Sequence, residues 1–167
     1  NNPNKIEYKL EVNSEIRIEH IANIQEFQVA NLKFKRFTVD IDQSGESVNN
    51  MSNDREPNFK EESLFLRYII EGYASLFESP KHQKFFFTVN DTIVSQLIYK
   101  EYISENRVLK NNLYHSQLYE KLKCSDISVI DIKNTKYLKK DLIKLFEKYN
   151  TCKDSNFIIY KKNNKKK

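Results

Sequence analysis

Up to Ser104 the apolar residues of this chain recur at every second position, and beyond it they recur at every third or fourth. Alternation lays one side of a strand on a core and the other in solvent, whereas the longer spacing draws a stripe along a helix. The order of the two patterns sets the architecture. A β-rich stretch with helices after it makes an α+β domain, here an N-terminal antiparallel sheet followed by a C-terminal pair of helices. At 167 residues, with 11 Phe and 10 Tyr, the chain has the apolar bulk for one core. Residues 1–160 read as a single domain, β-rich over 1–104 and helical over 105–152, with 161–167 as a basic tail or linker.

Residues 5–12 show the alternation plainly. Ile6, Tyr8, Leu10 and Val12 face one way and Lys5, Glu7, Lys9 and Glu11 the other, the pattern of a half-buried antiparallel strand. Ile16 and Ile18 start a second strand, and residues 24–29 form a third. Between Leu32 and Ile41 the apolar positions change parity, from Leu32 and Phe34 to Phe37, Val39 and Ile41. One extra residue would keep both sets inside, which predicts a β-bulge at Lys35-Arg36. Residues 42–58 are polar and contain Gly45 and Pro57, the composition of a long exposed loop. Strands resume over 64–71, turn at Gly72 and continue over 73–77. Ser79-Pro80-Lys81-His82 is a turn, and residues 84–89 with 92–99 read as a hairpin about Asn90-Asp91.

After the period changes, Leu109, Leu113, Leu118 and Leu122, with Tyr114 beside them, suit an amphipathic helix ending near Cys124. A second helix puts Leu138, Leu142, Leu145, Phe146 and Tyr149 on one stripe and Lys139, Lys140, Lys144, Glu147 and Lys148 opposite. Residues 125–134 are long enough to return the chain across the first helix, which brings Cys124 and Cys152 to the same end. Neither cysteine belongs to a C-x-x-C pair and no His stands at ligand spacing beside them, so zinc is disfavoured. On the residues alone they are either two buried thiols in a reducing compartment or one disulfide in an oxidising one. Their shared end favours the bridge.

The chain carries 28 Lys and Arg against 23 Asp and Glu, but five of those lysines lie in the last seven residues. Without them the body holds 23 basic and 23 acidic residues, so no specific nucleic-acid surface is expected from charge. The aromatic runs at Phe34 to Phe37 and Phe85-Phe86-Phe87 lack the glycines of a base-stacking motif and read as sheet core. No apolar run is long enough to span a membrane as a helix. The chain opens Asn1-Asn2-Pro3, without Met or a charged-then-apolar leader, and is silent on an export signal of its own.

Asp40-Ile41-Asp42-Gln43-Ser44-Gly45 imitates the start of a calcium loop, but the twelfth position, which needs a bidentate Glu, is Met51. His20, His82 and His115 have no partner His at helical spacing. Cys124 has no nearby His to act as its base, and Glu61, Glu62 and Asp54 read as surface carboxylates. There is no G-x-x-x-x-G-K-[ST] loop for nucleotide hydrolysis. The residues name no catalytic group, cofactor or metal site, and the case for an enzyme is poor.

Several stretches in order resemble a family of exported proteins of flavobacteria and other Bacteroidetes. They are IQEF at 24–27, VDID at 39–42, EPNFKEESLFL at 56–66, EGYASLF at 71–77, QLIYKEY at 96–102, residues 111–124, and KDLIKLFEKYNTC at 140–152. The resemblance implies export by a signal peptide and, in many members, an outer-membrane β-barrel after the second cysteine. It implies a disulfide between Cys124 and Cys152, which match the family's two cysteines. Some members carry a tRNA-modification GTPase label, which the missing phosphate loop argues against here. In that context Asp91-Thr92-Ile93 resembles the short signal for O-glycosylation in these bacteria, with Thr92 as the acceptor.

The function expected is a non-catalytic extracytoplasmic interaction domain, periplasmic or associated with the outer membrane, its partner an outer-membrane protein or envelope complex. Its contact surfaces are expected on the 42–58 loop and on unpaired sheet edges. The alternatives are an enzyme with a site assembled from residues distant in sequence, and weak nucleic-acid binding through basic residues.

Overall fold

The computed structural model describes residues 5–44, 51–90 and 93–161. Eleven strands and three helices are present among them, in the α+β arrangement that the change of period predicts. Thr92, Gly45 and the lysines at 162 and 165–167 lie outside the described residues.

The main sheet is antiparallel. Its path runs through β3 (Glu26–Val29), β4 (Leu32–Asp42), β5 (Phe59–Glu71), β6 (Ala74–Ser79), β7 (Lys84–Val89) and β8 (Ser95–Gln96). A short last strand, β11 (Ile158–Ile159), pairs with the end of β5 beyond the reach of β4. Two hairpins stand outside this sheet: β1 (Lys5–Tyr8) with β2 (Arg17–His20), and β9 (Lys100–Ser104) with β10 (Arg107–Asn111).

Both faces of the sheet are buried. Successive residues of a strand point to opposite sides, so Leu76 and Phe87 join a core against the helices while Phe77 and Phe86 join another. The second core gathers Val39, Ile41, Leu64, Leu66 and Tyr68. It closes because the sheet curls until β4 meets β8, where the Asp42 N–H donates to Gln96 Oε1 at 2.9 Å. The Phe85-Phe86-Phe87 run is therefore sheet core, as its missing glycines suggest.

The parity change in β4 has a different cause from the one expected. β4 pairs with β5 without a slip from Phe34↔Arg67 to Asp42↔Phe59, so there is no bulge at Lys35-Arg36. Instead the strand is covered on opposite sides at its two ends. Phe34 stacks on Phe27 at 4.8 Å, and Phe27 meets Phe65 edge-on at 4.9 Å, while Phe37, Val39 and Ile41 face the second core. The irregularity falls on β5 between Tyr68 and Ile70, where Ile69 and Ile70 are both fully buried.

Three further expectations need correction. The first strand ends at Tyr8, and Leu10 and Val12 are exposed rather than half-buried. The change of period comes after Asn111, because Leu109 belongs to β10, which the Glu105-Asn106 turn folds back on β9 with both residues at positive φ. The connection between the expected helices contains a helix of its own. After α1 (Leu113–Lys121), α2 (Val129–Asn134) is started by a capping box, and α3 (Lys139–Cys152) follows. Of the apolar stripe expected on α3, Leu142, Leu145, Phe146 and Tyr149 are buried, with Asn150 beside them, whereas Leu138 is the exposed residue that precedes the helix.

Asp42, at the start of the expected 42–58 loop, is instead a buried residue of β4, while residues 51–58 have mostly exposed side chains and are tied at the backbone. The Ser52 carbonyl accepts the Ile103 N–H at 3.0 Å, the Arg55 carbonyl accepts from Asn111 Nδ2 at 3.0 Å, and the Glu56 carbonyl accepts from Lys100 Nζ at 2.5 Å. Residues 51–58 are thus docked on the β9–β10 hairpin.

Candidate functional site

The strand ends and the start of α3 enclose a cleft of about 670 Å³, a size that suits a small ligand. Its charged side chains come from stretches far apart in sequence. β5 supplies Arg67, β6 Glu78, β7 Lys84, β9 Lys100 and Glu101, and α3 Lys139, while Asp42 closes the end of β4.

Register explains the first pair. Arg67 and Glu78 stand directly opposite each other on β5 and β6, and their side chains form an ion pair. Lys139 Nζ reaches the same carboxylate at 3.0 Å. Burial pushes the Arg67 guanidinium below its ordinary value.

Asp42 is buried at the closing seam of the sheet. Burial alone would raise its carboxyl. The Ser44 hydroxyl at 2.6 Å, the Ser44 N–H at 3.0 Å and the Asn58 N–H at 2.9 Å all donate to Oδ1, and with Lys84 they hold it below the usual carboxylate range. Lys84 Nζ lies 3.6 Å from Oδ2, and both side chains are almost wholly buried.

An aromatic wall completes the cleft. Tyr137 accepts from the Phe85 N–H at 3.1 Å and donates to the Leu97 carbonyl at 3.0 Å, which pins its ring. Tyr99 stacks on it with centroids 4.9 Å apart, and the Tyr99 hydroxyl donates to Glu101 Oε1 at 2.8 Å. Glu101 is also met by Lys110 Nζ at 3.5 Å from β10.

Cys124 and Cys152 are joined in a disulfide, with their Cα atoms 6.5 Å apart. The bridge ties the chain after α1 to the last residue of α3. Among the described residues the one grouping with metal-ligand types is Cys124, Asp126 and Cys152, and its two sulfurs are bonded to each other, so neither offers a thiolate.

The histidines remain apart. A ring nitrogen of His115 lies 2.9 Å from the Thr135 carbonyl, to which the Tyr114 hydroxyl also donates at 2.9 Å. His82 Nε2 stands 3.5 Å from Glu62, a pairing that sequence spacing did not indicate. The start of the calcium-like stretch is likewise dispersed: Asp40 is exposed, whereas Asp42 faces Lys84.

Apart from Asp42, which lies in the calcium-like stretch, the cleft's charged residues are not indicated by the sequence, because each looks like an ordinary surface charge. The signal was there at Arg67, set between Leu66 and Tyr68 in a long apolar strand, and at Lys84, leading into Phe85-Phe86-Phe87. No helix among the described residues is long and apolar enough to cross a membrane. In comparison with known proteins, the chain matches no family model, no curated protein and no solved structure.

Proposed function

We propose that the domain is a non-catalytic interaction module that works outside the cytoplasm, in the periplasm or against an outer-membrane protein or envelope complex. The observation that carries this reading is the N-terminal hairpin. Among the described residues β1 and β2 pair only with each other, and Leu10, Val12, Ile16 and Ile18 in or beside them are exposed, Val12 at 89%. A two-stranded hairpin alone is marginal in water, and apolar side chains grouped at a surface mark contact sites. A partner that covers the hairpin supplies what it lacks.

The Cys124–Cys152 bridge supports the compartment, because disulfides persist where thiols are oxidised. The resemblance to exported proteins supports the class of partner. A photo-crosslinking residue at position 12, carried in cells of the native host, is expected to give a discrete adduct with an envelope protein. The same probe in place of Lys140, exposed on α3, serves as control. Recovery of the domain in the cytosolic fraction, or adducts identical at the two positions, would contradict the reading.

A second reading, an enzyme with a site assembled from residues distant in sequence, has the cleft in its favour, since Asp42, Lys84, Lys100 and Tyr137 converge there. The partners of Asp42 favour its charged form, however, which suits a fixed counter-charge better than a proton donor. Turnover of any small substrate that Lys84→Met abolishes without unfolding the chain would establish the enzyme.

A further inference from the structure

We propose that the free edge of β4 takes up an extended segment of a partner protein as an added strand, with a Lys or Arg side chain of that segment set against Asp40 and Glu61. This surface is other than the β1–β2 hairpin, so the inference goes beyond the module proposed above and stands apart from its compartment.

The edge follows from hydrogen-bond direction. Along a strand the main-chain groups of successive residues point to opposite sides. The Arg36 N–H donates to the Gln25 carbonyl at 2.7 Å, on the β3 side, and the Gln43 N–H to the Asn58 carbonyl at 2.8 Å, on the β5 side. The even residues of β4 therefore direct N–H and C=O away from β5. β3 covers that side only as far as Lys35 and Arg36, and at Asp42 the Gln96 side chain covers it. Between these points Thr38 and Asp40 are exposed, and no described strand pairs with their outward groups. Two donors and two acceptors are left in a row, the template on which an extended chain adds to a sheet.

Charge selects the chain. Asp40 stands directly opposite Glu61 on β5, in a pair that exchanges no hydrogen bonds and so brings its side chains closer. Like charges so placed destabilise a sheet, and neither carboxylate has an ion pair among the described residues. A residue opposite Asp40 on an added strand would put its side chain on the same face, where a Lys or Arg meets both. Phe59, exposed at 47% on that face, offers apolar surface to the stem of the cation. Asp40, Glu61 and Phe59 line a groove of about 440 Å³, bounded on its other side by residues 93–96, and no basic side chain among the described residues lines it. Its third carboxylate, Glu56, already meets Arg55 at 3.8 Å.

A buried donor marks one end of the groove. Gln96 lines it, is 3% exposed and accepts the Asp42 N–H through Oε1, yet its Nε2 has no hydrogen-bond partner among the described residues. A buried donor without a partner is costly, and a carbonyl oxygen of the incoming chain is the acceptor that would satisfy it. A second copy of this chain is the wrong occupant, because edge-to-edge pairing would bring two such acidic pairs together.

The test is an amide-shift titration of the full, oxidised chain with the capped peptide TVRVT, whose sequence reads the same in either strand direction. Saturable shifts centred on Thr38 and Asp40 are expected, with a Kd of about 1 mM and slowed exchange of both N–H groups. The peptide TVEVT should bind at least about tenfold more weakly, and TVRVT methylated on the main-chain nitrogen of its Arg should not bind. Asp40→Asn combined with Glu61→Gln should weaken TVRVT about tenfold without lowering the urea midpoint, since a pair of like charges is removed. Asp126→Asn, which removes a charge elsewhere, should leave binding unchanged. No shifts at about 10 mM peptide, shifts centred outside the β4 edge, equal binding of TVRVT and TVEVT, or a lowered midpoint in the double variant would overturn the proposal. So would shifts at Thr38 and Asp40 that follow the concentration of the chain alone, which would mean that two copies pair there.

Discussion

Asn150 holds the main chain of Ala74 on both sides, although 76 residues separate them. Its Oδ1 accepts the Ala74 N–H at 2.8 Å and its Nδ2 donates to the Ala74 carbonyl at 2.9 Å. A further bond from Nδ2 to the Phe146 carbonyl, at 3.0 Å, fixes the amide on its own helix. The fully buried side chain thus docks α3 on the first residue of β6. Removing it leaves a buried donor and acceptor unpaired, each costing about 1–3 kcal/mol. Asn150→Ala is expected to lower unfolding free energy by about 3 kcal/mol, read from urea denaturation; a loss within error would show that water replaces the amide.

Gly72 is required by the same contact. Its backbone is not in the left-handed region, so conformation alone admits other residues. A Cβ there would lie 2.8 Å from Phe157 Cβ and 2.9 Å from Asn150 Oδ1. Gly72→Ala is therefore expected to destabilise by about 1–3 kcal/mol through overpacking. In the background of Asn150→Ala the penalty should shrink, because one of the two obstacles is gone. A double-mutant cycle on urea midpoints checks this.

Asp131 gives a prediction in pH. It accepts the Ser128 N–H and hydroxyl, both at 2.8 Å, and pairs with Lys148 at 3.0 Å. The Ser128 N–H first, and then Lys148, bring its carboxyl down from the usual 3.8 to about 2. A folded-state value below the unfolded one stabilises the fold above about pH 3.8, and that contribution disappears as the pH falls to about 2. Asp131→Asn should thus be less stable than the parent at neutral pH, and the gap should close across that acid window. Urea midpoints followed from pH 5 to 2 test it; a gap independent of pH would mean that the charge plays no part.

The disulfide acts on the unfolded chain. Its cysteines are 28 residues apart, and closing a loop of that length stabilises the fold by about 3 kcal/mol on chain-entropy grounds. Reduction is expected to lower the melting temperature while leaving the domain folded, because the buried residues of both cores are others and Cys124 only packs against the edge of the first. The paired variant with Cys124→Ser and Cys152→Ser should behave like the reduced protein. Loss of all cooperative melting in either form would show that the bridge is needed for folding itself.

Much of the fold is legible in the sequence wherever one physical signal acts alone. The stripe of α3 was readable because Leu142, Leu145, Phe146 and Tyr149 share one buried face. Signals failed where two structures fit one pattern. Leu109 and Leu113 have helical spacing, yet the positive-φ turn at Glu105-Asn106 makes Leu109 part of a strand. The parity change in β4 can arise from an extra residue or from cover on opposite sides, and the sequence of one strand does not contain its neighbours. The cleft was the least legible feature. Arg67 and Glu78 meet through register, and Asp42 and Lys84 meet through the curl of the sheet, both properties of pairing rather than of local pattern.

An oxidised, extracytoplasmic module is tested most directly by thiol alkylation and intact mass on protein taken from its native host without reductant. Resistance to alkylation before reduction, and modification of both Cys124 and Cys152 after it, is the result expected of the disulfide-bonded, exported domain. Two alkylated thiols in the unreduced protein would contradict it and move the search for a role to a reducing compartment.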